Sequence, residues 1–217
     1  MRVMDESTNK EKVLKKIRAS LLSKTDNPYP KISFDSPVFA MTDEDPLLVF
    51  ADKAELAGVK FFLIDSELDF MEAMVNLGMQ YKWKNIVCVE DGMSNLLTEC
   101  ELPHHVMIED IDKMDVAIST CECLVARTGS IILSSKEQTR SVPAYAPTHI
   151  VLGKASQIAL DIKDALSWLR HKYAKMPSAI SIVTGPSRTA DIDGKLVIGA
   201  HGPEQLYVFV IDDRAQS

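Results

Sequence analysis

The densest group of residues that could do chemistry is the segment TGPSRTADI, residues 184–192, which directly follows an apolar stretch. Its candidate ligand-binding residues are Gly185, Pro186, Ser187, Arg188, Thr189 and Asp191. Glycine permits a tight turn, proline favours the first position of a helix, and the N–H groups at a helix start suit an anion. Arg188 is able to form two parallel hydrogen bonds to a carboxylate or phosphate. The segment predicts an anion site; the alternative is a capped turn in which Asp191 pairs with Arg188.

Two other loops and one strand start carry further candidates. Residues 199–204 contain two glycines and His201, whose imidazole is a candidate acid–base or ligand-binding group; the alternative is a structural histidine in a Gly–Pro turn. The remaining candidate ligand-binding residues are Thr128, Gly129, Ser130, His149 and Gly202. Ligands in parallel α/β sheets bind at the carboxyl ends of strands, so we expect these segments to converge there. His104 and His105 have no partner residue at a recognisable motif spacing in the sequence, so no function is assigned to them.

Common catalytic signatures are absent from the sequence. It contains no G-x-G-x-x-G, H-E-x-x-H or G-x-S-x-G motif, and the glycines at 185 and 194 are too far apart for a P-loop. The four cysteines include no C-x-x-C pair, so we expect reduced structural thiols and no metal site. The first residues include no hydrophobic segment typical of a secretory signal, and together with the thiols this predicts a cytoplasmic protein.

The composition is that of an ordinary globular protein. The 217 residues are 46% hydrophobic and 25% charged, which excludes disordered, collagen-like and disulfide-scaffold classes. Lysine and arginine number 24 and the acidic residues 31, so the net charge of −7 disfavours binding to nucleic acid. No run of about 18 apolar residues is present, so we expect no membrane span.

Apolar strands alternate with amphipathic helices along most of the chain. This alternation predicts a layered α/β fold with a largely parallel sheet flanked by helices. An amphipathic helix over residues 8–22 and a proline-rich stretch over 25–37 precede it. We therefore expect an N-terminal helical arm at residues 1–37 and an α/β domain at residues 38–217.

Four local predictions concern the segments around the candidate residues. Residues 106–108 are predicted as a strand, and residues 156–172 as a helix with Ser156 at its N-cap. A further helix is expected to start at Pro186. Residues 119–134 are either two strands joined by a turn at Gly129 or a short helix that leads into a strand.

Several stretches together resemble the LUD domain family. The matching stretches are TGPSRTADI (184–192), LVIGAHGP (196–203), YVFVIDD (207–213), ARTGSIIL (126–133) and residues 140–150. The resemblance covers residues 40–213 and implies a fold like that of the NagB/RpiA/CoA-transferase superfamily. It also implies a cytoplasmic role in oxidising L-lactate to pyruvate with iron–sulfur partner subunits. Those partners would hold the clusters, and this chain would hold no cofactor.

The resemblance has one departure and leaves three functions open. Arg127 stands where the family usually has glutamate, which reverses the charge and removes a base. The first function is a lactate-oxidation subunit that binds a small anionic ligand. The second is a non-catalytic assembly module, and the third is a stand-alone enzyme of the cyclo-ligase or isomerase kind that uses a nucleotide or phosphosugar. Assembly into a homo-oligomer also stays open.

Overall fold

The protein divides into two compact units, residues 1–42 and 43–217. The computed structural model describes residues 8–22, 43–107, 113–136, 145–190 and 194–214. In the first unit the described part contains helix α1, Asn9–Leu22, none of whose residues is buried. The proline-rich stretch and the predicted domain boundary at residue 38 lie outside the described residues.

The second unit alternates helices and strands, as the sequence predicts. Its helices are α2 (Pro46–Leu56), α3 (Glu67–Tyr81), α4 (Asp91–Glu99) and α5 (Ile162–Lys172). Its strands are β1 (Lys60–Ile64), β2 (Ile86–Val87), β3 (Val116–Thr120), β4 (Cys123–Val125), β5 (Ser130–Ser134), β6 (Thr148–Lys154), β7 (Ile158–Ala159), β8 (Ile180–Val183), β9 (Arg188–Thr189), β10 (Val197–Ile198) and β11 (Gln205–Ile211). Side-chain caps fix two helix starts: Asp45 accepts the Leu47 N–H, and Ser66 forms a capping box with Asp69.

Two main sheets form the framework of this unit. The larger has the strand order β1-β11-β6-β3-β2, and all its neighbours are parallel. The smaller has the order β7-β4-β5-β8, in which β5 pairs antiparallel with both neighbours. Strands β9 and β10 form a separate antiparallel pair. The predicted α/β fold with a largely parallel sheet flanked by helices is confirmed.

The two faces of the parallel sheet are covered differently. Helices α3 and α4 pack on one face, where Phe70 and Leu97 join Phe209 in a single core. Helix α2 and the smaller sheet cover the other face, where Phe50 and Ile131 share a core with Val208. Strand β11 is buried on both faces, which agrees with its almost continuous apolar sequence. Helix α5 packs on the outer face of the smaller sheet.

Three local predictions are wrong, and two of them failed because pairing with distant residues decides the local structure. Residues 158–159 form β7, which pairs with β4, so helix α5 begins only at Ile162 with Asp161 at its N-cap. No helix starts at Pro186, because β9 pairs with β10 instead. Val106 and Met107 are exposed and lie outside any strand, and residue 108 is not described. Residues 119–134 form the two strands β4 and β5, the first of the two alternatives.

No helix in the described part of the chain is long and apolar enough to cross a membrane.

Candidate functional site

Three hydroxyl groups meet where β5 begins and β8 ends. The Ser130 hydroxyl lies 2.7 Å from the Thr128 hydroxyl and 2.7 Å from the Thr184 hydroxyl. Antiparallel pairing of Ile131 with Val183 brings these positions together across 54 residues of sequence. Ser130 is buried, Thr128 is half-buried and Thr184 is exposed, so the three hydroxyls lead from the interior to the surface. Two of the three residues belong to the predicted site, and Thr184 joins them.

Two turns that contain glycine place this cluster of three hydroxyls against the C-terminal half of helix α2. A Cβ atom at Gly129 would lie 2.3 Å from the Ala54 backbone nitrogen, and one at Gly185 would lie 2.2 Å from the Ala57 carbonyl oxygen. Both glycines have positive φ, 62° and 79°. No other residue type fits there without moving α2. The backbone of α2 is therefore one wall of the candidate site.

Arg188 lies at the end of the same helix. Its Nη2 donates a 2.9 Å hydrogen bond to the Ala57 carbonyl oxygen, and the residue is exposed. A cation at a helix C-terminus is stabilised by the helix dipole and satisfies an otherwise unpaired carbonyl. The guanidinium is thus held in place by α2. Asp191, which the alternative interpretation of the sequence pairs with Arg188, lies outside the described residues.

The third predicted loop joins the second through backbone hydrogen bonds. The Ser187 N–H donates to the Pro203 carbonyl oxygen at 2.8 Å, and the Gly199 N–H donates to the Ser187 carbonyl oxygen at 3.0 Å. His201 is exposed and Gly202 is half-buried on this loop, while Thr189 pairs in register with Val197. The structure therefore brings residues 128–130, 184–189 and 199–203 into one connected region.

His149 differs from the other candidates because it is an interior residue. It is 1% exposed, and its Nε2 lies 2.8 Å from the Ser119 hydroxyl. Burial lowers the pKa of His149 to about 4, so the imidazole is neutral at pH 7. A neutral buried imidazole does not attract an anion by charge. His149 lies on β6, and its hydrogen bond to Ser119 is inside the fold.

The connected region lies at the amino ends of β6 and β11, whereas the expected position was at carboxyl ends. Pro147 precedes β6, and its carbonyl oxygen accepts hydrogen bonds from the N–H groups of Glu204 and Gln205, which precede and begin β11. The carboxyl-end rule concerns parallel strands. Strand β8 belongs to the mixed sheet and runs antiparallel to β5, so the rule does not govern the loop that follows it.

Arg127 forms a bidentate ion pair with Asp161. Arg127 Nε and Nη2 donate to the two Asp161 carboxylate oxygens, both at 2.8 Å. The hydrogen bonds from Arg127 lower the pKa of the Asp161 carboxyl below its ordinary value. Asp161 is also the N-cap residue of α5. The residue that departs from the family pattern therefore links the 127–130 turn to a helix start.

Sequence reasoning missed two buried carboxylates. Glu90 is 7% exposed and accepts hydrogen bonds from the Thr120 N–H and hydroxyl, the latter at 2.6 Å. Glu122 is 2% exposed and accepts hydrogen bonds from Ser134, from Lys172 at 2.8 Å and from the Tyr173 hydroxyl at 2.7 Å. The hydrogen-bond partners of both glutamates are distant in the sequence, so no local motif indicates the buried carboxylates. The only sequence signal for them was a glutamate next to an apolar run.

The thiols are mostly interior and unpaired with one another. Cys88, Cys121 and Cys123 are buried, and Cys100 is half-buried. Burial raises the pKa of Cys88 to about 12 and that of Cys123 to about 11, so these thiols stay protonated at neutral pH. Among the described residues, no three His, Cys, Asp or Glu side chains are grouped closely enough to hold a metal ion.

A family model of the LUD domain matches residues 89–211, more than half of the chain. The chain is 34% identical over 111 residues to proteins named lactate utilization protein C from Bacillus licheniformis and Bacillus subtilis, a match that covers 49% of this chain and 46% of each relative. A protein of the same name from Halalkalibacterium halodurans is 26% identical over 159 residues, which is 66% of this chain and 69% of that relative.

Fold comparison agrees with the sequence matches. The crystal structure of a DUF162 family protein from Deinococcus radiodurans superposes with a TM-score of 0.57 and 16% identity. It covers 79% of this chain and 99% of that chain. The likeness concerns the fold alone at this identity. The chain spans about half the length of the first curated relatives it matches.

Proposed function

Because the chain belongs to the LUD domain family, we propose that it serves in lactate utilization in the cytoplasm by binding a small carboxylate such as lactate or pyruvate. The relatives named lactate utilization protein C support the process. The geometry of residues 128–130, 184–189 and 199–203 supports the ligand class.

One observation carries the ligand proposal: the turns that hold the hydroxyls and the Arg188 guanidinium both lie against the C-terminal half of α2. Ser130 lies between the hydroxyls of Thr128 and Thr184, and Arg188 is fixed on the Ala57 carbonyl oxygen. Ser130 donates its proton to Thr128 and accepts that of Thr184, so the Thr128 O–H and the Arg188 N–H groups that do not reach Ala57 are the donors left for a carboxylate. The net charge of −7 opposes an anion at long range, so short-range donors must supply the attraction.

Each group has a distinct task in the proposed complex. Arg188 binds the carboxylate with the donors that do not reach Ala57. The Thr128 hydroxyl, which accepts the hydrogen bond of the buried Ser130, orients the remainder of the ligand. Ser187 and Thr189 add donors from the β9 side, and His201 is a secondary contact from the third loop. Gly129 and Gly185 keep both turns close to the backbone of α2.

We assign the electrons of lactate oxidation to iron–sulfur partner subunits. Oxidising lactate to pyruvate removes two electrons, and a redox centre must accept them. Three of the four cysteines in this chain are buried with raised pKa values, and thiols of that kind are poor cluster ligands. In this proposal the chain binds substrate or product and holds no cofactor.

Calorimetric titration of the full chain with lactate, pyruvate and ATP tests the ligand proposal. We expect lactate or pyruvate to bind, and the affinity to fall at least tenfold in Arg188→Ala. The loss should be smaller in Arg188→Lys, because lysine keeps the positive charge but does not donate two parallel hydrogen bonds. Arg170→Ala, which removes an exposed arginine from α5, is the matched control and should bind as the parent does.

Two results would reject the ligand proposal. If Arg188→Ala leaves every measured affinity unchanged, Arg188 only caps α2. If ATP binds and the small carboxylates do not, the nucleotide-using enzyme is favoured instead.

A specific observation on α1 favours the assembly module as a second candidate. Val13, Leu14, Ile17 and Leu21 are 41–69% exposed, although their spacing gives one apolar stripe. An apolar stripe without a buried residue suits docking to a partner subunit. Deletion of residues 1–35 should then abolish co-purification with the iron–sulfur subunits and leave carboxylate binding intact. Unchanged co-purification excludes this role for α1.

A further inference from the structure

Ser94 and His104 form a hydrogen-bonded pair away from the loops described above. The Ser94 hydroxyl lies 2.7 Å from His104 Nε2. His104 Nδ1 lies 3.0 Å from the Leu102 carbonyl oxygen. The pair therefore has a hydroxyl, an imidazole and a fixed acceptor in a row.

The carbonyl oxygen decides the protonation of the imidazole. A carbonyl oxygen only accepts hydrogen bonds, so the proton of neutral His104 must be on Nδ1. Nε2 then presents a lone pair, and the Ser94 hydroxyl donates to it. This is the arrangement in which an oriented histidine acts as general base toward a serine nucleophile.

Both members of the pair are on rigidly held backbone. Ser94 is within α4, and its N–H donates to the Glu90 carbonyl oxygen at 2.8 Å. His104 lies between Leu102, whose N–H donates to the Leu97 carbonyl oxygen, and His105, which is hydrogen-bonded to β2. Preorganisation of this kind lets a base and a nucleophile act without further rearrangement.

The pair lies at the border between buried and exposed residues of α4. Ser94 keeps 8% of its surface accessible, and His104 is half-buried. Asp91 and Thr98, the neighbours of Ser94 on the same helix face, are both exposed. An ester that reacts with this hydroxyl would have to approach it from the Asp91–Thr98 side.

We propose that Ser94 is a nucleophile, with His104 as its general base, for acyl transfer from a small ester or thioester. Ser94 Oγ bonds to the acyl carbon while its proton passes to His104 Nε2. The ester C–O or thioester C–S bond breaks, and the leaving alcohol or thiol takes that proton. Water then attacks the acyl-serine with the same help from His104, which releases the carboxylic acid and restores Ser94. This activity is independent of the proposed carboxylate site.

The fold contains a second Ser–His pair that serves as an internal control. Ser119 and His149 are joined at 2.8 Å, but they are only 3% and 1% exposed. An external ester does not reach a hydroxyl at that depth. Substitution of Ser119 should therefore leave acyl transfer unchanged, whereas substitution of Ser94 should abolish it.

Incubation of the full chain with p-nitrophenyl acetate, followed by peptide mass spectrometry, tests the proposal. We expect an acetyl group on Ser94 and release of p-nitrophenol at least tenfold faster than from Ser94→Ala. His104→Gln keeps an acceptor for the Ser94 hydroxyl but removes the base, so it should lose the same rate advantage. Ser119→Ala should retain the parent rate.

Two outcomes would overturn the proposal. One is acetylation elsewhere with none on Ser94, a result that the parent protein alone provides and that does not depend on how the variants fold. The other is a His104→Gln rate equal to the parent rate, since Ser94 would then react without His104. Circular dichroism of each variant verifies that the fold is retained.

Discussion

Gly185 lies so close to helix α2 that a Cβ atom there would be 2.2 Å from the carbonyl oxygen of Ala57. The same carbonyl oxygen accepts the hydrogen bond from Arg188. One backbone atom therefore constrains the turn after β8 and also fixes the guanidinium that we assign to the carboxylate. The Thr–Gly turn thus has a packing role on which the proposed carboxylate binding would depend.

We expect Gly185→Ala to destabilise the protein by about 3 kcal/mol, because positive φ and a backbone clash are added together. The matched control is Gly78→Ala, which lies within α3 with nothing inside 4 Å of the new methyl group. That control should stabilise the protein by about 0.5–1 kcal/mol. Urea unfolding of the three proteins measures both differences. Equal stability of Gly185→Ala and the parent would contradict the close approach.

The sequence was sufficient to predict the helices and strands that are long or that are buried on two faces. Strand β11 was readable from its apolar run, and α2 from the helical spacing of its apolar residues and the glycine that follows it. The two-residue strands β7, β9 and β10 were not, since such a length has no periodicity and depends on a distant partner. The helical spacing of Ile158 and Ile162 was misleading for this reason.

The candidate site was predictable only in part for a related reason. Residue types located the turns at 128–130 and 184–189, because glycine, hydroxyl and arginine residues cluster there. The contact between Arg188 and Ala57 spans 131 residues of sequence, and no local pattern encodes it. The amino-end position was missed because it depends on β8 being antiparallel to β5.

Glu122→Gln should destabilise the protein by about 2–3 kcal/mol. Burial raises the pKa of Glu122, but the hydrogen bonds from Lys172, Ser134 and Tyr173 outweigh it and hold that pKa below its ordinary value. An amide replaces one accepting oxygen with a donor, which leaves one of these donors unpaired. Glu99→Gln, at an exposed position of α4, is the control and should change the free energy of unfolding by less than about 0.5 kcal/mol. A similar effect of both variants on urea unfolding would argue against the buried network.

We expect one thiol of the native protein to react with Ellman's reagent, and that thiol is Cys100. It is the half-buried cysteine, whereas the other three are buried with raised pKa values. Cys100→Ser should remove the fast reaction, and all remaining thiols should react after denaturation. A fast native reaction that persists in Cys100→Ser would show that a buried thiol is accessible.

Arg127→Glu should destabilise the protein by about 1 kcal/mol, because it places a carboxylate beside Asp161. Both side chains are about one third exposed, so solvent screening keeps the effect modest. The double variant Arg127→Glu with Asp161→Arg reverses the pair and should be more stable than the sum of the single changes predicts, although it also places a cation at the start of α5. Thermal unfolding of the four proteins gives the coupling energy. A double variant no more stable than the sum of the single changes would exclude a direct pair.

Stability should fall as the pH is lowered from about 6.5 to about 4, owing to His149. Burial holds its pKa at about 4 in the folded protein, below the ordinary value of 6.5. The unfolded chain therefore binds a proton in this window and the folded chain does not, so acid favours unfolding. The full difference corresponds to about 3 kcal/mol, present above pH 6.5 and lost as the pH approaches 4. Urea unfolding at pH 7.5, 5.5 and 4.5 measures the slope. His149→Gln, which keeps a hydrogen-bonding group for Ser119, should flatten it by about one proton, and an unchanged slope would assign the acid sensitivity to other groups.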